Sequence, residues 1–256
     1  MRVALCLSGQ LRNILTTCES IYNNIVVPNG ADVFIHSWDE TGDVATGIDT
    51  RRRYDIRSEH FEHVVKVFKP KSYVFEKPRR FEEYNNLLVP QAWINGVKEV
   101  NTSFSDEEAR RHSIFTFCSM FYSIQKCNDL KNEYAREYGI EYDAVIRLRF
   151  DVIVKCPVSI SELDLTKVYY HELGQPDDTI SDWINIGNTH VMNVYSNVLT
   201  EIRSLNTLDE KSRSGPVSFR GAADCIWGPE HLIREIMHIN NIDKKSYNFN
   251  IELCYS

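Results

Sequence analysis

This chain of 256 residues is short of several kinds of chemistry. Its seven cysteines are scattered and form no Cys-x-x-Cys pair, so neither a disulfide framework nor a zinc knuckle is expected. No apolar run approaches the roughly 20 residues of a membrane span, and the opening run Val3-Ala4-Leu5-Cys6-Leu7 is too short for a signal peptide. A soluble protein of the reducing cytoplasm is the expectation, and the sequon Asn101-Thr102-Ser103 is read as chance. Basic residues are outnumbered 29 to 36, which removes nucleic acid from the expected partners. The short runs Arg51-Arg52-Arg53 and Lys77-Pro78-Arg79-Arg80 read as solvated loops or helix starts. There is no Gly-x-Gly-x-x-Gly, Walker loop, His-Glu-x-x-His or nucleophile elbow, so dinucleotide enzymes, P-loop kinases and hydrolases have little support. No repeat and no low-complexity linker divides the chain. One α/β domain is expected, with a nucleotide-binding half over about 1–155 and an acceptor half over about 156–256.

What is present is an alternation of strand and helix patterns. Val3 to Leu7 reads as a buried strand that breaks at Ser8-Gly9-Gln10. Leu11, Ile14, Leu15, Cys18, Ile21, Tyr22 and Ile25 then recur at helical spacing up to Pro28-Asn29-Gly30, and Ala31 to His36 is a second strand. This is a βαβ unit, which implies parallel pairing. Phe61, Val64, Val65 and Phe68 predict a helix closed by Lys69-Pro70, and Ser72 to Phe75 a third strand. Residues 77–105, punctuated by Pro78, Pro90 and Gly96, read as irregular and suited to a mobile cover. Asp106-Glu107-Glu108 opens a helix running to about Tyr138 and ended by Gly139. In the second half, Lys167 to His171 and Trp183 to Ile186 predict short strands, Asn188 to Arg203 and Pro229 to Ile239 helices, and Tyr247 to Cys254 a last strand or tail.

The densest chemistry lies in Tyr142-Asp143-Ala144-Val145-Ile146-Arg147-Leu148-Arg149-Phe150-Asp151, continued by Val152-Ile153-Val154. On a strand, Arg147, Arg149 and Asp151 share one face. Buried charge needs a partner, which is either an internal Arg–Asp salt bridge or a phosphate with its divalent ion. Other polar groups fall at predicted strand ends, where ligands sit in an open parallel sheet. Ser8 and Gly9 would offer N–H groups at a helix N-terminus, with Arg12 one turn in. His36 is a ligand, a base or a strand-end hydrogen-bonder, and Trp38 and Asp39 either hold a base or sugar ring or are a buried tryptophan beside a turn aspartate. In Ser181-Asp182-Trp183, Asp182 is either a base for an acceptor hydroxyl or a turn residue. Glu230, in the run Gly221 to Glu230, reads as a complement to a helix dipole.

Three of these blocks, Ala4 to Asn13, Ala31 to Trp38 and Tyr142 to Asp151, resemble motifs of small GT-A-like glycosyltransferases. That group includes WavE-type lipopolysaccharide-synthesis proteins and capsid-decorating enzymes of large DNA viruses. The similarity covers about the first 150 residues in order and extends loosely to Asp182–Tyr195 and Pro229-Glu230. It implies a GT-A-like, Rossmann-like domain that moves a hexose or pentose from a UDP- or GDP-linked donor to a hydroxyl of a glycan or glycoprotein. For a viral member the place of action would be the host cytoplasm. Ser8, Gly9, Arg12, His36, Arg147, Arg149 and Asp151 would bind the nucleotide sugar, and Asp182 would be the catalytic base. Asp151 matches the last aspartate of the Asp-x-Asp metal motif, implying Mn²⁺ or Mg²⁺. Arg149 stands where the first aspartate would be, and a guanidinium could neutralise the leaving diphosphate without metal. A non-catalytic nucleotide- or sugar-binding module of the same fold is the alternative.

Overall fold

Val3, Leu5 and Leu7 are buried against one hydrophobic cluster while Ala4 and Cys6 are buried against another. A strand apolar on both faces belongs in the interior of a sheet covered on both sides. The computed structural model, which describes residues 1–39, 57–172, 179–207 and 228–254, places it there. Arg51-Arg52-Arg53 and residues 221–227 lie outside the described residues.

Strand β1 (Val3–Gly9) leads into α1 (Ile14–Ile21), which continues as a π-helical turn, Tyr22–Val26, and a last turn, Val27–Asn29, before β2 (Asp32–Trp38). After α2 (Ser58–Phe68) and β3 (Ser72–Glu76) come α3 (Gln91–Val100) and the long α4 (Asp106–Tyr138). Strands β4 (Ala144–Leu148) and β5 (Val152–Val154) follow, then β6 (Val168–His171), β7 (Ile184–Gly187), α5 (Thr189–Ser196) and α6 (Val198–Asn206). Helix α7 (Pro229–Ile239) and strands β8 (Lys244–Tyr247) and β9 (Ile251–Leu253) complete the domain.

Seven strands make one sheet in the order β3-β2-β1-β4-β7-β6-β8. β1 is parallel to β2 and β4, and β2 to β3. β7 runs antiparallel to β4 and β6, and β8 parallel to β6, so the sheet is mixed but mostly parallel. β5 and β9 form a separate antiparallel pair. The expected α/β class holds, and strands from both halves of the chain share the sheet. Helices α1 and α2 cover one face over Leu5, Leu7 and Ile146, while α4 to α7 cover the other over Ala4, Cys6, Phe34 and Val145. From β1 the chain returns over the first face and enters β4 from the second. The crossovers diverge between β1 and β4, which opens a crevice beyond the carboxyl ends of these strands.

Helix α4 follows its sequence signals closely. Ser105 caps it, accepting from the Glu108 N–H at 3.3 Å while Glu108 accepts from the Ser105 N–H at 2.8 Å, and Gly139 closes it at φ 61°. Other expectations change. Residues 77–105 are not irregular throughout, since α3 occupies Gln91–Val100, with Ile94 buried and Trp93 edge-on to Phe117. Pro90 stands at its N-cap position, where a missing N–H costs nothing, so punctuation marked a helix start. The helical stretch after Asn188 divides at Asn197 into α5 and α6. Most important for function, the stretch 144–154 is two strands belonging to different sheets, with a turn at Phe150-Asp151 between them.

Candidate functional site

Beyond the ends of β1 and β4 lies a cleft of about 250 Å³. Ser8, Gly9 and Arg12 line it from the end of β1, Arg147, Arg149 and Asp151 from the end of β4, and Asp182 from the approach to β7. These candidates come from three separate parts of the sequence. Trp38, at the end of β2, is also in the wall.

The local backbone places each group. Gly9 has φ 124°, a region that a side chain disfavours. The next residues form a turn, with Arg12 N donating to Gln10 O at 2.7 Å and Arg12 Nε to Gln10 Oε1 at 2.8 Å. Helix α1 begins only at Ile14, so Arg12 precedes the helix instead of lying one turn inside it, and the Gly9 N–H is not at a helix terminus. Asn13, at φ 52°, absorbs the change of direction. The Phe150-Asp151 turn is held from both sides. Thr17 Oγ1 of α1 donates to Phe150 O at 2.5 Å, and Cys254 N donates to Asp151 O at 2.8 Å.

The two arginines have different surroundings. Arg149 Nε and Nη2 donate to Asp151 Oδ1 and Oδ2 at 2.8 and 2.7 Å, and Nη1 reaches Asp182 Oδ2 at 3.3 Å. Burial opposes the charge on Arg149, but Asp182 and Asp151 outweigh it and hold the guanidinium firmly protonated. Burial likewise pushes the Asp151 carboxyl up; the Arg149 charge and hydrogen bonds, aided by Arg12, bring it below its ordinary value. Arg147 is 2% exposed and donates through Nε to Ser8 Oγ at 3.2 Å. Among the described residues its Nη1 has no hydrogen-bond partner.

A buried hydrogen-bonded frame surrounds Arg147. Asn185 faces it across the β4–β7 ladder. Tyr195 OH donates to Asn185 Oδ1 at 2.7 Å, and Asn185 Nδ2 donates to Ser181 O at 2.8 Å, tying the residue before Asp182 to α5. Burial pushes the Tyr195 phenol up to about 12, against the opposing charge of Arg147.

His36 is the candidate that the fold sets apart from the cleft. It is fully buried, with Nδ1 2.8 Å from Ser123 Oγ of α4 and Nε2 2.8 Å from Glu76 Oε1 of β3, the strand-end hydrogen-bonding role. One contribution escaped sequence reasoning. One wall of the cleft is the first half of α4, through His112, Thr116 and Ser119. Their spacing of four and three, which puts polar side chains on one helix face, was the available signal. Glu230, expected only to complement a helix dipole, stands at the start of α7 outside the cleft lining. Burial and the negative charge of Asp182 push its carboxyl up to about 7.

Among the described residues no group of three His, Cys, Asp or Glu side chains could hold a metal ion. The carboxylates of Asp151 and Asp182 already face a guanidinium, so this donor set does not fit Mn²⁺ or Mg²⁺ in the arrangement described. No described helix is long and apolar enough to cross a membrane. No protein-family model matches the sequence, and no curated protein matches it either.

Proposed function

We propose that the protein is a GT-A-like glycosyltransferase that moves a sugar from a UDP- or GDP-linked donor to a hydroxyl of a glycan or glycoprotein. The observation that carries this reading is the meeting, in one crevice between β1 and β4, of arginines from both strand ends with two carboxylates. Crevices at such a switch point are the usual ligand sites of open α/β sheets. A diphosphate leaving group needs fixed positive charge, and an attacking hydroxyl needs a proton acceptor. Arg147, beside Ser8 at the β1–β4 seam, answers the first need. Asp182, at the cleft wall, answers the second by taking the hydroxyl proton as the acceptor oxygen attacks the anomeric carbon. Of the two routes the sequence leaves open, the metal-independent one suits this donor set.

A binding module without turnover is the second reading, favoured by the ion pair that engages Asp182 with Arg149. Thermal shift against UDP- and GDP-sugars, with and without Mn²⁺, followed by measurement of released nucleoside diphosphate, separates the two. The transferase reading expects donor binding and diphosphate release, both surviving a chelator, with release lost in Asp182→Asn. Donor binding without release in any acceptor mixture supports the module. Binding of no nucleotide sugar overturns both.

A further inference from the structure

Arg147 and Arg149 line the same cleft, yet their charges are not equally available. Arg149 spends its donors on Asp151 at 2.7 and 2.8 Å and on Asp182 at 3.3 Å. Arg147 is the more deeply buried of the two, and its described hydrogen bonds are with neutral hydroxyl groups, Ser8 Oγ and the Tyr195 phenol. Its Nη1 has no hydrogen-bond partner among the described residues. Around it Asn185 and Tyr195 are also neutral and fully buried. A buried guanidinium held only by neutral groups is unfavourable unless a counter-charge arrives.

We propose that Arg147 and Ser8 form the anion subsite of the cleft, taking one phosphate group of the ligand, and that Arg149 is not a phosphate ligand. The Arg149 end, where two carboxylates face one guanidinium, suits the neutral, hydroxyl-bearing part of the same molecule, because ionised carboxylates accept hydrogen bonds from hydroxyls and repel phosphate. The cleft therefore selects a phosphate ester of a polyhydroxylated compound and orients it with phosphate at the β1–β4 seam and hydroxyls toward Asp151 and Asp182. This rests on the cleft used in the functional reading above, but it does not require sugar transfer.

The test is calorimetry with inorganic pyrophosphate on the whole chain, comparing two charge-conserving variants and one neutral one. Lysine keeps the charge but loses the planar fork, so Arg147→Lys should weaken pyrophosphate about tenfold while Arg149→Lys stays within about threefold. Arg147→Gln should weaken it about ten- to a hundredfold and, without ligand, melt no lower than the wild type, because an uncompensated buried charge is removed. The stability arm keeps the idea exposed even if a lysine variant does not fold. A wild type that does not bind pyrophosphate overturns the proposal. So does a larger affinity loss in Arg149→Lys than in Arg147→Lys, or an Arg147→Gln protein that melts lower and binds normally. If pyrophosphate behaves as expected but no nucleotide sugar releases its diphosphate, the subsite stands and the transferase reading falls. A hexose phosphate and a nucleoside diphosphate, titrated in parallel, identify which phosphate ester the hydroxyl end prefers.

Discussion

Asp151 and Asp182 share a single guanidinium: Arg149 Nη2 lies 2.7 Å from Asp151 Oδ2, and its Nη1 lies 3.3 Å from Asp182 Oδ2. The pairing joins the turn after β4 to the approach to β7. It also ties two carboxylates to one guanidinium, with the Arg12 charge acting on Asp151 as well.

Asp151→Asn should therefore weaken the fold without emptying the site. Arg149 would lose its bidentate partner but keep Asp182. Because Arg149 is 24% exposed, the cost falls below that of a fully buried pair, at about 1 to 3 kcal/mol. Urea denaturation measures it, and an unchanged midpoint would mean that the pair contributes nothing to stability.

Glu230 gives the site a pH signature. Its folded-state value near 7 lies above the ordinary 4.5, so the folded protein holds a proton that the unfolded chain releases between these values. Its stabilising contribution is complete below about 4.5 and is lost as pH rises through about 7. Glu230→Gln keeps a neutral side chain at every pH and should exceed the wild type at pH 8 by about 1 to 3 kcal/mol. Parallel stability–pH curves for the two proteins would refute this.

His36 should matter to the fold and not to ligand. Burial lowers its imidazole below the ordinary 6.5 despite the opposing pull of Glu76. Its contribution is therefore present above 6.5 and is lost as pH falls. His36→Gln breaks buried hydrogen bonds to Ser123 and Glu76 and should cost about 1 to 3 kcal/mol near pH 7.5, with pyrophosphate affinity held within about twofold. A large affinity loss in a folded variant would return His36 to the site.

Helix α3 should resist proteolysis with or without nucleotide. Ile94 is 6% exposed and Trp93 packs on Phe117, so Ile94→Ala should cost about 2 to 4 kcal/mol. Rapid cleavage between Gln91 and Val100 that a nucleotide sugar suppresses would restore the mobile cover that Pro78, Pro90 and Gly96 suggested.

The alternation of strand and helix from Val3 to Phe75 was legible because burial on one or both faces imposes a local period. So were both ends of α4, where Ser105, Glu108 and Gly139 act through neighbouring backbone groups. Most of the candidate site was legible for the same reason: polar residues interrupt apolar strand patterns at Ser8, Arg147 and Asp182, at or near strand ends. Local patterns could not decide partners. Arg147 and Arg149 look equivalent in sequence, two residues apart on a supposed single strand. The turn at Phe150-Asp151 folds Asp151 back onto Arg149, and the antiparallel β7 brings in Asp182 from 33 residues away. Arg147, still inside β4, is left facing Ser8, Asn185 and the cleft. Which arginine pairs with carboxylates and which meets only neutral groups was settled by strand pairing, because charge compensation depends on distance in space and not on position along the chain.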